Sequence, residues 1–241
     1  MALPKISHLT YELDLPLSGK HIQFRPFLVK EQKNLMAAME ADDKDTIERN
    51  IKQVLNNCTI TENIDIEKLP VVDIEYYFLN LRARSVGEVV TNKYVCTNVV
   101  NDVECGNKLE ATLNLLDVKV DIDPNNKSEI KINDSIIIKL KYPEFSLVDK
   151  INNKSSAVEI AFEVIAESVD YIFDGEQYYY AYETPRGELM QFIESLSQEQ
   201  FGRLEGFFDS LPKLNKKIEM KCGKCGFDHT INVEGLENFF G

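Results

Sequence analysis

Apolar positions first recur at every second residue. Leu9, Tyr11, Leu13 and Leu15 alternate with polar neighbours, Pro16-Leu17-Ser18-Gly19-Lys20 has turn chemistry, and Ile22 and Phe24 continue the alternation, which predicts a β-hairpin. Three helices are expected next. Leu35, Met36 and Met39 share one side of the stretch from Glu31 to Glu40. Ile47, Ile51, Val54 and Leu55 follow the capping carboxylates Asp42, Asp43 and Asp45. Ile74, Tyr77, Phe78 and Leu81 follow Asp73, another candidate cap, and Arg82 and Arg84 end this helix where positive charge suits its dipole. From Glu88 the period returns to two. Glu88 to Val95 and Leu109 to Ile122 read as strands flanking a cysteine pair, and Ser128 to Tyr142 reads as a β stretch turning at Asn133-Asp134. Asp123-Pro124-Asn125-Asn126 is the strongest loop signal in the chain.

Helical spacing resumes after Pro143. Ser155-Ser156 can cap a segment carrying Val158, Ala161, Phe162, Ile165 and Val169. Thr184-Pro185 supplies a capping hydroxyl and a proline at the first helical position, ahead of Leu189, Phe192, Ile193 and Leu196. Ser197-Gln198-Glu199-Gln200 is a capping box before Phe201, Leu204, Phe207, Phe208 and Leu211, and Pro212 ends that helix. Two such helices joined at a serine predict an αα-hairpin. Its aromatic stripes serve a core or a subunit contact, a second copy of the chain included. The fold class expected is therefore α+β. It has an N-terminal hairpin and helices over 1–87, a discontinuous zinc-ribbon-like β module at 88–122 and 214–241, and an inserted β plus helical-hairpin region at 123–213.

The cysteines join these regions. Strand, Cys96, loop, Cys105-Gly106 and returning strand are matched downstream by Ile218 to Lys221, Cys222, turn, Cys225-Gly226 and Asp228 to Val233. Two hairpins of this kind facing each other make a four-cysteine tetrahedral zinc site, with Cys96, Cys105, Cys222 and Cys225 as ligands. Glycine after the second cysteine lets the turn adopt φ values that a Cβ resists. Four thiolates on zinc carry about −2 by simple counting, which Lys93, Lys108, Lys221 and Lys224 can offset in part. His229 is a reserve ligand or an ordinary strand residue. Held in this way, everything from Leu109 to Lys221 is an insertion closed at its neck, and a clip of that span is worth about 5 kcal/mol of unfolded-state entropy. Stripping the metal is expected to loosen the whole C-terminal half.

Composition narrows the chemistry. At 241 residues, 44% hydrophobic and 28% charged, the chain has enough material for a sizeable core. Forty acidic residues against 27 basic ones give a net charge of −13, which argues against general nucleic-acid binding. No apolar run is long enough to span a bilayer, and the opening Met1-Ala2-Leu3-Pro4-Lys5 has no signal-peptide core, so a soluble, cytosolically made protein is expected. Five cysteines suit a reducing compartment, with Cys58, beside Val54 and Leu55, as a small buried hydrophobe. Phosphate-cradling glycine loops, Gly-x-Ser-x-Gly and His-Glu-x-x-His are absent, and His8, His21 and His229 form no relay. A closed four-thiolate zinc has no open position for water, so the expectation is a structural site and no enzyme.

Several stretches carry a family resemblance. They are Leu3-Pro4-Lys5-Ile6, Ser18-Gly19-Lys20 with Phe24 to Glu31, and Leu69-Pro70-x2-Asp73-x2-Tyr76-x-Phe78 running into Leu79 to Ser85. The last is Cys222-x2-Cys225-Gly226 with Gly235-Leu236-Glu237-Asn238-Phe239-Phe240. Together they resemble the baseplate hub proteins of T-even-type contractile-tailed bacteriophages. The resemblance implies a hub subunit or assembly factor, found in the virion tail baseplate or in the host cytoplasm during assembly, with other baseplate or hub proteins as partners. It transfers no catalytic residue, and only the four cysteines carry over, as metal ligands. The apolar tail Leu236-x2-Phe239-Phe240 is a docking hook or folds onto its own core. The competing reading is a zinc-ribbon nucleic-acid adaptor or transcription factor using Lys213, Lys216, Lys217, Lys221 and Lys224, and a redox dithiol at Cys222 and Cys225 is a third.

Overall fold

The structure, a computed structural model, describes residues 6–41, 44–152, 154 and 156–235. The expected caps Asp42, Asp43 and Ser155, the opening Leu3-Pro4-Lys5 and the tail Leu236 to Phe240 lie outside the described residues, as do the side chains of Met39 and Asp45. The chain is α+β. It begins with β1 (Tyr11–Asp14), β2 (His21–Phe24), α1 (Val29–Ala41), α2 (Lys44–Cys58) and α3 (Val71–Val86). Five strands follow: β3 (Val89–Val95), β4 (Val99–Val100), β5 (Val103–Glu104), β6 (Lys108–Asn114) and β7 (Lys119–Asp121). Next come β8 (Glu129–Lys131), β9 (Ile137–Leu140), α4 (Ser146–Ile151), α5 (Ala157–Ser168), β10 (Val169–Phe173) and β11 (Tyr178–Tyr180). The last elements are α6 (Arg186–Glu194), α7 (Gln198–Asp209), β12 (Lys213–Lys221) and β13 (Asp228–Glu234). Two compact units result, one from Met1–Ile64, Val72–Asp121 and Lys213–Gly241, the other from Asp65–Val71 and Ile122–Pro212.

In the first unit, β1 and β2 pair in the register Tyr11↔Phe24 to Asp14↔His21, around a turn where Gly19 takes φ +62°. Asp73 is fully buried and does not cap α3, which starts two residues earlier. Its carboxylate instead accepts the N–H groups of Leu17 (2.9 Å) and Ser18 (2.8 Å), fixing the hairpin turn across a long stretch of sequence. The expected stripe on α1 is shifted: Met36 is exposed, whereas Glu31, Leu35 and Ala38 turn inward. Glu31 is nearly sealed from solvent and accepts from the Arg25 guanidinium (3.0 Å) and the Leu28 N–H (2.9 Å). Burial alone raises its pKa, but these hydrogen bonds and the adjacent cation outweigh it and leave the carboxyl below its ordinary range. Cys58 is buried, and desolvation pushes its thiol up to about 11, consistent with a packed hydrophobe.

Leu79 and Ala83 of α3 form a second cluster with Leu113, Leu115, Val118, Leu214 and Val233. The single strand expected from Leu109 to Ile122 is broken here. A 3₁₀ turn at Leu115–Asp117, capped by Asn114 accepting the Leu116 N–H, separates β6, which pairs with β3, from β7, which pairs with β12. That break lets one chain segment serve two ladders.

The second unit is a four-stranded sheet in the order β11-β10-β9-β8, with its core formed by Ile138, Leu140 and Ile172 of the strands and Ile165, Leu189, Ile193, Leu204 and Phe207 of α5–α7. Ser197 and Gln200 form both halves of the expected capping box. Two other expected caps do not form. The Thr184 hydroxyl donates to the Tyr180 carbonyl (2.9 Å), and Ser156 makes no side-chain cap bond. Val169 leaves the helix and opens β10, where it pairs with Leu140 and the Lys141 N–H donates to the Ser168 carbonyl, while the Ser168 hydroxyl donates back to the Val164 carbonyl. Within the predicted Asp123–Asn126 loop, Asn126 donates to the Phe207 and Ser210 carbonyls and the Ser210 hydroxyl, tying the loop to the end of α7.

Candidate metal centre

Two antiparallel pairs, β3–β6 and β12–β13, each end in a cysteine turn. The turns share one hydrogen-bond frame despite unequal spacing. The Cys96 N–H donates to Asn107 O (2.8 Å) and the Gly106 N–H to Cys96 O (3.0 Å). In the second turn Cys222 N–H donates to Phe227 O (2.8 Å) and Gly226 N–H to Cys222 O (2.8 Å). Gly106 (φ +63°) and Gly226 (φ +74°) occupy the left-handed position that closes each turn. Cys105 N–H returns to Asn98 O (2.8 Å), and residues 99–104 between them form the β4–β5 mini-hairpin, turned at Asn101 and Asp102 with positive φ. Without that hairpin the first turn reads Cys96-Thr97-Asn98-Cys105-Gly106, the same spacing as Cys222-Gly223-Lys224-Cys225-Gly226. The first turn is therefore a Cys-x2-Cys-Gly turn with a hairpin spliced between its third and fourth residues.

The structure brings all four predicted cysteines together. Their sulfurs lie within 4.8 Å of one another, with Cys96 to Cys225 at 3.6 Å and Cys105 to Cys222 at 3.8 Å. A tetrahedron with metal–sulfur bonds of about 2.3 Å has edges of about 3.8 Å, so the closer pairs already have that separation. Disulfide bonding is absent, and Cys96, Cys105 and Cys222 are buried. Backbone N–H groups point at each sulfur: Asn98 at Cys96, Asn107 at Cys105, Phe227 at Cys225, and both Cys225 and Lys224 at Cys222. Side-chain amides cross between the turns, from Asn98 Nδ2 to Cys225 Sγ (3.6 Å) and from Asn107 Nδ2 to Cys222 Sγ (3.5 Å).

This environment splits the thiols. The Cys225 and Lys224 N–H groups draw the Cys222 thiol down to about 6, and the Phe227 N–H chiefly lowers Cys225. Burial pushes Cys96 up to about 12. At Cys105 the Asn107 N–H pulls downward, but burial and the adjacent Cys225 and Cys222 sulfurs outweigh it, so that thiol is raised. Crowded sulfurs cannot all ionise on their own, and a divalent cation shared by the four would take the place of the remaining protons.

Asn98 and Asn107 were not identified from sequence. Their signal is an asparagine two residues after each cysteine of the first pair. His229 stands beside the four sulfurs rather than among them, with Nε2 3.1 Å from Cys96 Sγ and its ring edge-on to Phe227. Lys224 Nζ donates to Cys105 O (2.8 Å), whereas Lys93 and Lys108 are exposed on their strands and Lys221 faces Asp228 at 4.0 Å. Among the described residues no helix is long and apolar enough to cross a membrane.

Fold and centre together define an α+β protein whose two cysteine turns converge on one four-sulfur site. The family described as T4 bacteriophage base plate protein matches residues 8–241, and the chain belongs to that family. It is similar to the baseplate hub assembly protein gp26 of Enterobacteria phage T4, at 22% identity over 234 residues that cover 95% of this chain and 97% of that protein. No solved structure matches the chain at a significant level.

Proposed function

We propose that this chain is a structural or assembly protein of a phage tail baseplate hub, working through protein contacts, with one structural zinc held by Cys96, Cys105, Cys222 and Cys225. The observation that carries the role is the family match over residues 8–241, seconded by the similarity to a baseplate hub assembly protein along almost the whole length of both chains. The zinc assignment is supported by the four gathered sulfurs and by the N–H groups aimed at each of them. Four thiolates fill the coordination sphere, so the metal organises the fold and binds no substrate. It makes one unit of the ends of β3, β6, β12 and β13. The hub's other proteins are the partners in this reading, and nucleic acid is not. Lys216, Lys217 and Lys221, in the basic strip that favours a nucleic-acid adaptor, face Asp117, Glu219 and Asp228, and Lys224 is held by the Cys105 carbonyl.

The test is a phage in which this gene is disrupted. The expected result is the loss of complete baseplates in electron micrographs, with rescue by the intact gene. Normal, infectious tails from the disrupted phage contradict the proposal. Mass analysis of purified wild-type virions then sorts the role: fixed copy number marks a hub component, and presence only in assembly intermediates marks a chaperone.

A further inference from the structure

The sheet of the second unit carries an uncovered aromatic face. Register sets Tyr171 opposite Tyr180 and Phe173 opposite Tyr178, so these four side chains share one face, while Ile172 points the other way into the core. The rings meet in series. Phe173 and Tyr178 are 4.7 Å apart, Tyr171 and Tyr178 5.1 Å, and Tyr178 and Tyr180 6.2 Å and nearly parallel, with Tyr182 continuing the row 5.4 Å beyond Tyr180. Tyr178 is 53% and Tyr182 79% exposed, a large aromatic area for a surface to leave in water. Beside the row stand Asp170 and Glu183, both close enough to act electrostatically on Tyr182, and Glu129, which accepts from the Tyr171 hydroxyl (3.3 Å) and pairs with Lys139 (3.5 Å), the residue opposite Tyr171 on the next strand. Asp174 accepts the N–H groups of Glu176 and Gln177 and the Tyr179 hydroxyl at the end of the strand pair, and neither Asp170 nor Glu183 has an ion-pair partner among the described residues.

We propose that this aromatic row is a docking site for a lysine- or arginine-rich segment of a partner protein. Tyrosine rings offer rigid contact area, and their faces attract cations, arginine above all. The surrounding carboxylates supply the complementary charge. The same carboxylates repel nucleic-acid phosphate, and a second copy of a chain with a net charge of −13 meets its own repulsion here. This inference rests on the reading of the chain as one that works through protein contacts.

The probe is a fluorescently labelled peptide of nine arginines, titrated with the full-length protein and followed by anisotropy at several salt concentrations. A single-stranded oligothymidylate runs in parallel. Saturable peptide binding is expected, weakened about tenfold or more in the Tyr180→Ala/Tyr182→Ala variant and retained in Tyr180→Phe/Tyr182→Phe, which keeps the rings. Asp170→Asn/Glu183→Gln is expected to weaken binding and flatten its salt dependence. Unchanged peptide affinity in the double alanine variant overturns the proposal, because general acidity then explains the binding. Tyrosine-dependent oligothymidylate binding, or self-association abolished by the alanine variant, overturns it in favour of nucleic acid or a second copy. A negative peptide result alongside a disrupted phage that lacks baseplates removes this surface alone, whereas normal tails remove the assembly role itself.

Discussion

Removing the ion from the cysteine centre should destabilise the protein by an amount that the topology sets. The longest closure it makes, Cys96 to Cys225, spans 129 residues, and a cross-link of that reach is worth about 5 kcal/mol through the unfolded state. The same neck is closed independently by β7 pairing with β12, from Lys213↔Asp121 to Asn215↔Lys119. With that pairing intact, the centre closes only the two arms running from the neck to the cysteines, roughly 25 residues in all, and its share falls to about 3.5 kcal/mol. Zinc-loaded protein unfolded in urea, with and without excess chelator, should therefore show a loss of roughly 3–5 kcal/mol. Hydrogen exchange locates the loss. Protection is expected to fall at the cysteine ends of β3, β6, β12 and β13, and to persist at Ile138, Leu140 and Ile172, whose core is built from their own unit. This narrows the expectation from sequence, under which the whole C-terminal half would loosen. An unfolding midpoint indifferent to the chelator refutes the reasoning, and so does equal loss of protection in both units.

Three other outcomes follow from particular contacts. Asp73→Ala strands the Leu17 and Ser18 N–H groups and should cost about 2–4 kcal/mol in urea unfolding, with Asp73→Asn milder because one acceptor oxygen remains. Glu31 has a folded pKa below its ordinary 4.5, so its contribution is fully present above that value and is lost as pH falls through the lower, folded one. Glu31→Gln should flatten this acid limb in a stability–pH profile, and an unaltered limb speaks against the assignment. Excising residues 99–104 leaves the first turn with the spacing of the second, so the shortened chain should retain one metal per molecule by elemental analysis. Loss of the metal contradicts the shared-frame description of the two turns.

How much of this was legible in the sequence depends on where the signal sat. The hairpin, α2, α3, the capping box at Ser197 and the four-cysteine set each rest on local chemistry, and local chemistry is what a single chain displays. Asp73 misled because a carboxylate near a helix start has the composition of a cap, yet its partners at Leu17 and Ser18 are far away in sequence. Thr184 misled similarly, since nothing local shows that its hydroxyl returns to Tyr180. β10 and β11 went unseen because Val169 continues the helical spacing of α5, and because three consecutive tyrosines show no alternation of polar and apolar residues. The long spacing between Cys96 and Cys105 hid a short turn, because the spliced hairpin cannot be subtracted until its pairing is known.

X-ray absorption at the zinc edge of the purified full-length protein tests the central claim most directly. One zinc per chain with four sulfur neighbours at about 2.3 Å is the predicted result. A substoichiometric metal, or a first shell containing nitrogen or oxygen in place of any of the four sulfurs, contradicts it.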